Sequence, residues 1–144
     1  MKLTKKAEYA IRAMIALGRD PASQRTIASI AQEQKIPKKF LEQILLALKG
    51  AGLVVSRAGP HGGYRLAKGA EAISLGSILQ AIDEPLARGI VRGGSRRVSG
   101  ESPLDHVLAE IRQCLAQRIN QVTLAELAAE GTTPEQVEEL MWYI

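Results

Sequence analysis

The sequence predicts a mainly α-helical protein with one small β-hairpin. Hydrophobic residues make up 46% of the chain but aromatic ones only 3%, so the core must be built from Ala, Leu, Ile and Val, which suits helix packing. Apolar side chains recur at three- and four-residue steps in several segments, the period of a helix with one buried face. A β-branched run, Leu53-Val54-Val55, is followed by Gly59-Pro60-His61-Gly62-Gly63 and Tyr64-Arg65-Leu66, the pattern of two short strands joined by a glycine-rich tip. At 144 residues the chain suits one compact domain with an appended element.

The elements follow in order. Leu3, Ala7, Ala10, Ile11, Met14 and Ile15 form one helical stripe that Gly18 and Asp20-Pro21 stop. Thr26 can cap a second, short helix that buries Ile27, Ile30 and Ala31 before Gln34-Lys35 turns the chain. Pro37 opens a third, with Leu41, Ile44, Leu45 and Leu48 facing inward and Gly50 and Gly52 at its end. After the hairpin, Ser74 caps a helix predicted to run through Asp83, with Ile73 stapled onto Ile78 and Pro85 preventing continuation. Residues 88–100 hold four arginines and four glycines and predict a flexible loop. Ser102-Pro103 then starts the longest helix, whose seam reads Leu104, Leu108, Ile111, Leu115, Ile119 and Val122; two such helices would make a dimer. Thr133-Pro134 suggests a last short helix bearing Val137, Leu140 and Met141.

Helix, tight turn, helix and hairpin is the order of a winged helix-turn-helix, whose second helix of the pair enters the major groove while the hairpin lies along the backbone or in the minor groove. Charge supports that reading. Residues 1–69 carry 13 Lys and Arg against 4 Asp and Glu, residues 70–144 carry 6 against 11, and the halves net +9 and −5. A basic head on an acidic remainder is the footprint of a polyanion binder. The expected organisation is thus a DNA-binding domain over residues 1–69 and a helical dimerisation or effector region over residues 70–144.

Other classes find little support. No apolar run approaches the roughly 18 residues that span a bilayer, so no membrane segment and a cytoplasmic location are expected. The one cysteine, Cys114, and two histidines, His61 and His106, exclude an intrachain disulfide and a multi-cysteine metal site within one chain. No nucleophile stands with a base at a motif-like spacing and no glycine loop cradles a phosphate, so no catalytic residue, metal or cofactor is expected.

The stretches LTKKAEYAIRAM, SIAQEQKIPKKFLEQIL, GPHGGYRLA, ISLGSILQAID and VTLAEL together resemble the Rrf-type bacterial winged-helix transcription regulators, the family that includes IscR, NsrR and CymR. The resemblance spans nearly the whole chain. It implies a homodimer with crossing long helices that binds double-stranded DNA at a roughly palindromic operator, as a repressor, under an unidentified effector or partner protein. A winged-helix interaction module regulated by docking to a metabolic enzyme is the alternative. Cluster-binding relatives carry cysteines where this chain has Ser102 and, counting back, residues near Arg96 and Ile90, so the resemblance stops short of an iron–sulfur switch. Relatives also have a wing arginine where Ala58 stands, and Arg57 is its candidate replacement.

The expected DNA contacts follow. Lys38, Lys39, Glu42 and Gln43 lie on the outer face at the start of the third helix, as base and phosphate readers or as a solvated surface, with Gln43 the foremost base reader and Glu42 a cytosine selector. Arg25 and Thr26 sit where a phosphate would meet the second helix's free amides, Thr26 serving also as its cap. Lys5, Lys6 and Tyr9 match backbone contacts that the resemblance implies, against surface decoration for the lysines and core packing for Tyr9. Arg57, His61 and Arg65 belong to the wing, His61 as a tip residue near phosphate rather than a metal ligand. Cys114 is read as packing on the shoulder of the dimer helix or as a redox group across it, and His106 as a surface residue or a ligand to an effector.

Overall fold

A computed structural model describes residues 2–91 and 102–129. Thr4 caps α1 (Lys5–Arg19) by accepting from the Ala7 amide. Thr26 caps α2 (Ile27–Gln34), and Lys35 leaves it in the left-handed region at φ 54°. Pro37 precedes α3 (Lys38–Gly50). The hairpin pairs β1 (Val54–Arg57) with β2 (Gly63–Leu66) antiparallel, Val54 opposite Leu66 and Arg57 opposite Gly63. A single 3-10 turn, Ala70–Ala72, leads to α4 (Leu75–Ala81), capped by Ser74, and then come α5 (Pro85–Val91), α6 (Pro103–Gln121) and α7 (Leu124–Ala129). This mainly helical chain with its hairpin has the architecture expected of a winged helix-turn-helix.

The core is centred on α1. Ala7, Ala10, Ala13, Met14, Ala16 and Leu17 are buried together, because α2, α3, α4, α7 and β2 all pack against this helix and its alanines let them approach. Leu41, Ile44, Leu45 and Leu48 of α3 close one side, while Ile73, Ile78, Leu79 and Leu124 close another. One buried cluster therefore includes residues from both sides of residue 69.

Several expectations are corrected. Pro85 does not merely stop a helix but is the first residue of α5, where its missing N–H costs nothing. The predicted loop of residues 88–100 is helical as far as Val91, and its remainder lies outside the described residues, as does the predicted tail helix at 133–141. Helix α7 is absent from the expected elements, although Thr123 and Glu126 form a capping box: the Thr123 hydroxyl accepts from the Glu126 amide at 3.2 Å and the Glu126 carboxylate accepts from the Thr123 amide at 3.4 Å.

Two contacts join distant segments. Leu75 donates to Val122 and Leu124 to Ile73, both at 2.8 Å, fastening the end of α6 to the start of α4. The buried Glu84 carboxylate, just before α5, accepts from both the amide and the hydroxyl of Thr4 and so joins that turn to the cap of α1.

Candidate nucleic-acid interface

The amphipathic pattern of α3 determines which residues it can present. With Leu41, Ile44, Leu45 and Leu48 fully buried, Lys38, Lys39, Glu42 and Gln43 are all exposed on the opposite face. Two lysines and no carboxylate occupy the first turn, where the helix dipole already concentrates positive potential. That arrangement becomes favourable when an anion such as a phosphate lies against it. One turn further on, Glu42 offers acceptors, and Gln43 offers a donor and an acceptor side by side.

At the start of α2, the Thr26 hydroxyl accepts from the Ser29 amide at 3.1 Å, the capping role expected of it. Arg25 is positioned otherwise than expected. Its guanidinium pairs with Glu33, its Nε donates to Ser29 at 3.4 Å, and its side chain is only one-fifth exposed. Part of its donor capacity is thus committed to Glu33 and Ser29.

The wing is fixed to this helix start by main-chain atoms. Arg25 donates to the Tyr64 carbonyl at 2.8 Å and Tyr64 to the Arg25 carbonyl at 2.7 Å, an antiparallel bridge outside the hairpin. Gly63 makes the bridge possible, since its φ is +141° and an added Cβ would lie 2.5 Å from the Arg25 oxygen. In the amide orientation that its hydrogen bonds select, Gln24 donates to the Gly63 carbonyl at 3.0 Å and accepts from Arg65 Nε at 3.1 Å. From the other side, Lys49 of α3 donates to Ser56 of β1 at 2.6 Å. Arg57, Ala58, His61 and Arg65 are exposed on the wing so held. Gln24 and Lys49 are additions to the expected site residues, because each acts through a contact between elements.

Lys5 and Lys6 are exposed on the first turn of α1. Lys5 lies 3.3 Å from Glu8 and 6.0 Å above the Tyr9 ring. Tyr9 packs edge-on against Phe40 of α3, with ring centroids 5.6 Å apart at 81°, which selects the packing role for it. Glu8 in turn holds Arg12 in a buried ion pair.

The expected seam of α6 divides in two. Leu115 packs against the core, Ile119 is buried, and Val122 has left the helix as its carboxy-terminal cap while packing on the core too. Leu104, Val107, Leu108 and Ile111 instead stand exposed, at i, i+3, i+4 and i+7. The carboxy-terminal end lies against the start of α4, where Val122 accepts from the Leu75 amide. In the single protomer Cys114 and His106 are both exposed.

A two-helix unit whose second helix turns a charged face to solvent, with a clamped hairpin beside it, is the arrangement of DNA-binding proteins of the winged-helix class. The chain belongs to the Rrf2 family, described as iron-dependent transcriptional regulators, which matches residues 3–130. It is 36% identical to the HTH-type transcriptional regulator IscR of Erwinia tasmaniensis over 129 residues, 88% of this chain and 78% of that one. With IscR of Vibrio vulnificus it shares 35% identity over 137 residues, 94% of this chain and 82% of the relative. Its fold is similar to that of CymR, the global cysteine regulator of B. subtilis, with a TM-score of 0.77 at 28% identity, covering 92% of this chain and 99% of that one. Similarity to T. potens IscR gives a TM-score of 0.74 at 26% identity, covering 92% and 89%.

The iron in the family's description can be tested against the donors present. The sequence has one cysteine, exposed on α6, and its two histidines lie on the wing and on α6. Among the described residues no three of His, Cys, Asp and Glu are grouped as a metal site. This donor set does not fit a thiolate-held iron–sulfur cluster. Among the described residues no helix is long and apolar enough to cross a membrane.

Proposed function

We propose that this DNA-binding regulator acts as a homodimeric repressor on a palindromic operator, each protomer placing α3 in the major groove and its wing on the adjoining backbone. The exposed face of α3 carries this reading: Lys38, Lys39, Glu42 and Gln43 are turned to solvent by the burial of the opposite face, beside a hairpin held by the main chain. Lys38, Lys39, Lys5 and Lys6 supply phosphate contacts, Gln43 and Glu42 read base edges, and Arg57, His61 and Arg65 contact the duplex from the wing. Dimerisation is supported by the exposed apolar stripe of α6, from Leu104 to Ile111, which a second copy of the same helix would cover. Two copies related by a two-fold axis present two equivalent heads, and half-sites about one helical turn apart, or a multiple of it, match them.

Two measurements test the interface. Affinity for random duplex DNA is expected to fall steeply with salt, and Lys39→Ala to reduce the slope by about one for each phosphate it ceases to neutralise. A flat salt response would sink the reading. Gln43→Ala is expected to cost about 1–3 kcal/mol at the cognate operator and little on random duplex. Equal losses on both would show that Gln43 reads no base. Repression is checked in a reporter strain, where loss of the protein should raise expression from the operator-bearing promoter.

A further inference from the structure

Leu46 is 61% exposed, although Leu45 and Leu48 on either side of it are fully buried. It lies on the outer face of α3, where Lys39, Glu42, Gln43 and Leu46 stand at i, i+3, i+4 and i+7 and so share one stripe. A single exposed leucine is ordinary on a protein surface. This one continues a row of polar and charged groups that face outward, and too few apolar atoms surround it to form a protein-docking patch: among residues 2–88, Val55 is the one other large apolar side chain that is exposed. The basic surroundings select a polyanion as the occupant. In the major groove of duplex DNA, the apolar group on offer is the C5-methyl of thymine.

We propose that Leu46 is a specificity-determining residue that packs on a thymine methyl in each half-site. This rests on the reading of α3 as the groove helix. Leu46 is three residues beyond Gln43, about 4.5 Å along the helix axis, so the methyl it meets belongs to a base pair one or two steps from the pair that Gln43 reads. A leucine there adds no charge and no hydrogen bond. Its effect is therefore confined to discrimination between bases and is invisible to salt.

The test pairs protein and DNA changes. An operator is selected from a random duplex pool with the intact protein, and each thymine of a half-site is replaced in turn by deoxyuridine, which keeps the pairing and lacks only the methyl. One replacement is expected to weaken wild-type binding about fourfold, the effect of leaving one methyl unburied. Leu46→Ala should weaken binding to the thymine operator by a similar factor and show no further loss on that uracil operator, with its salt slope unchanged. Leu46→Met, which keeps an apolar side chain of similar volume, should restore most of the affinity. Losses that add independently, or a Leu46→Ala protein that binds as the wild type does, would overturn the assignment. If Gln43→Ala weakens operator binding while Leu46→Ala does not, only this inference fails; if no operator is selected at all, the reading of α3 fails with it. Because Leu46 is exposed on a helix and alanine favours helix, folding is not at stake, and circular dichroism verifies that.

Discussion

Ile111→Asp is expected to turn the protein into a folded monomer whose operator affinity is lower by about 10²- to 10⁴-fold, the advantage that linking two binding heads confers. Ile111 is 50% exposed in the protomer and stands with Leu104, Val107 and Leu108 on the exposed apolar stripe of α6. An aspartate there is solvated in the monomer. In a helix-on-helix interface it would be a buried and unpaired charge, which costs roughly 3–5 kcal/mol when a partner is lacking. Sedimentation should show half the mass, circular dichroism an unchanged helix content, and operator titration the drop in affinity, while binding to random duplex keeps its salt slope per head. The contrast is Ile119→Asp, eight residues along the same helix. Ile119 is buried beside the core, so that variant is expected to lose stability rather than association. A dimer that survives Ile111→Asp would refute the proposed interface.

Gly63→Ala is expected to destabilise the protein by about 2–4 kcal/mol and to weaken binding to any duplex, cognate or not. The added Cβ meets main-chain atoms, 2.5 Å from the Arg25 oxygen and 2.7 Å from its carbonyl carbon, and neither can rotate away. Either Gly63 leaves its φ of +141°, or the bridge between Arg25 and Tyr64 opens and both of its hydrogen bonds break, each worth about 1 kcal/mol net. Backbone strain of this kind adds about 1–3 kcal/mol. Gly59→Ala serves as the control, because its φ is also positive, +104°, but open space surrounds the new methyl, so strain acts there without a clash. Urea denaturation of the two variants separates the contributions. Equal stabilities would show that the wing is not held by this bridge.

Local chemistry explains why most helix starts are legible directly. Thr26, Ser74 and Ser102 each accept an amide of the following turn, as their position before an apolar run implies. The outer face of α3 is equally legible, since four inward aliphatic residues leave only one way for Lys38, Lys39, Glu42 and Gln43 to point. Pro85 is ambiguous in principle: a proline ends one helix and begins another by the same missing N–H. The seam of α6 misleads when read as a whole because periodicity is identical along its length, and tertiary packing against other elements, α4 and α5 among them, decides which turns are covered. Arg25 counts toward the basic head, yet a charge count cannot register that Glu33, eight residues on, neutralises it in space. Gln24 and Lys49 lie beyond reach for the same reason. Their importance comes from partners on the wing, and no spacing along the chain encodes those contacts.

The bridge between Arg25 and Tyr64 acts as a ruler. Its two bonds run between backbone atoms, so the offset from the helix pair to the hairpin is independent of which side chains decorate the hairpin's tip. Arg57, Ala58 and His61 lie beyond the ruler and are exposed. They can be exchanged without moving the scaffold that aims them, whereas Gly63 cannot. A substitution at one of these tip positions thus changes what the hairpin presents while leaving its distance from the helix pair as it was.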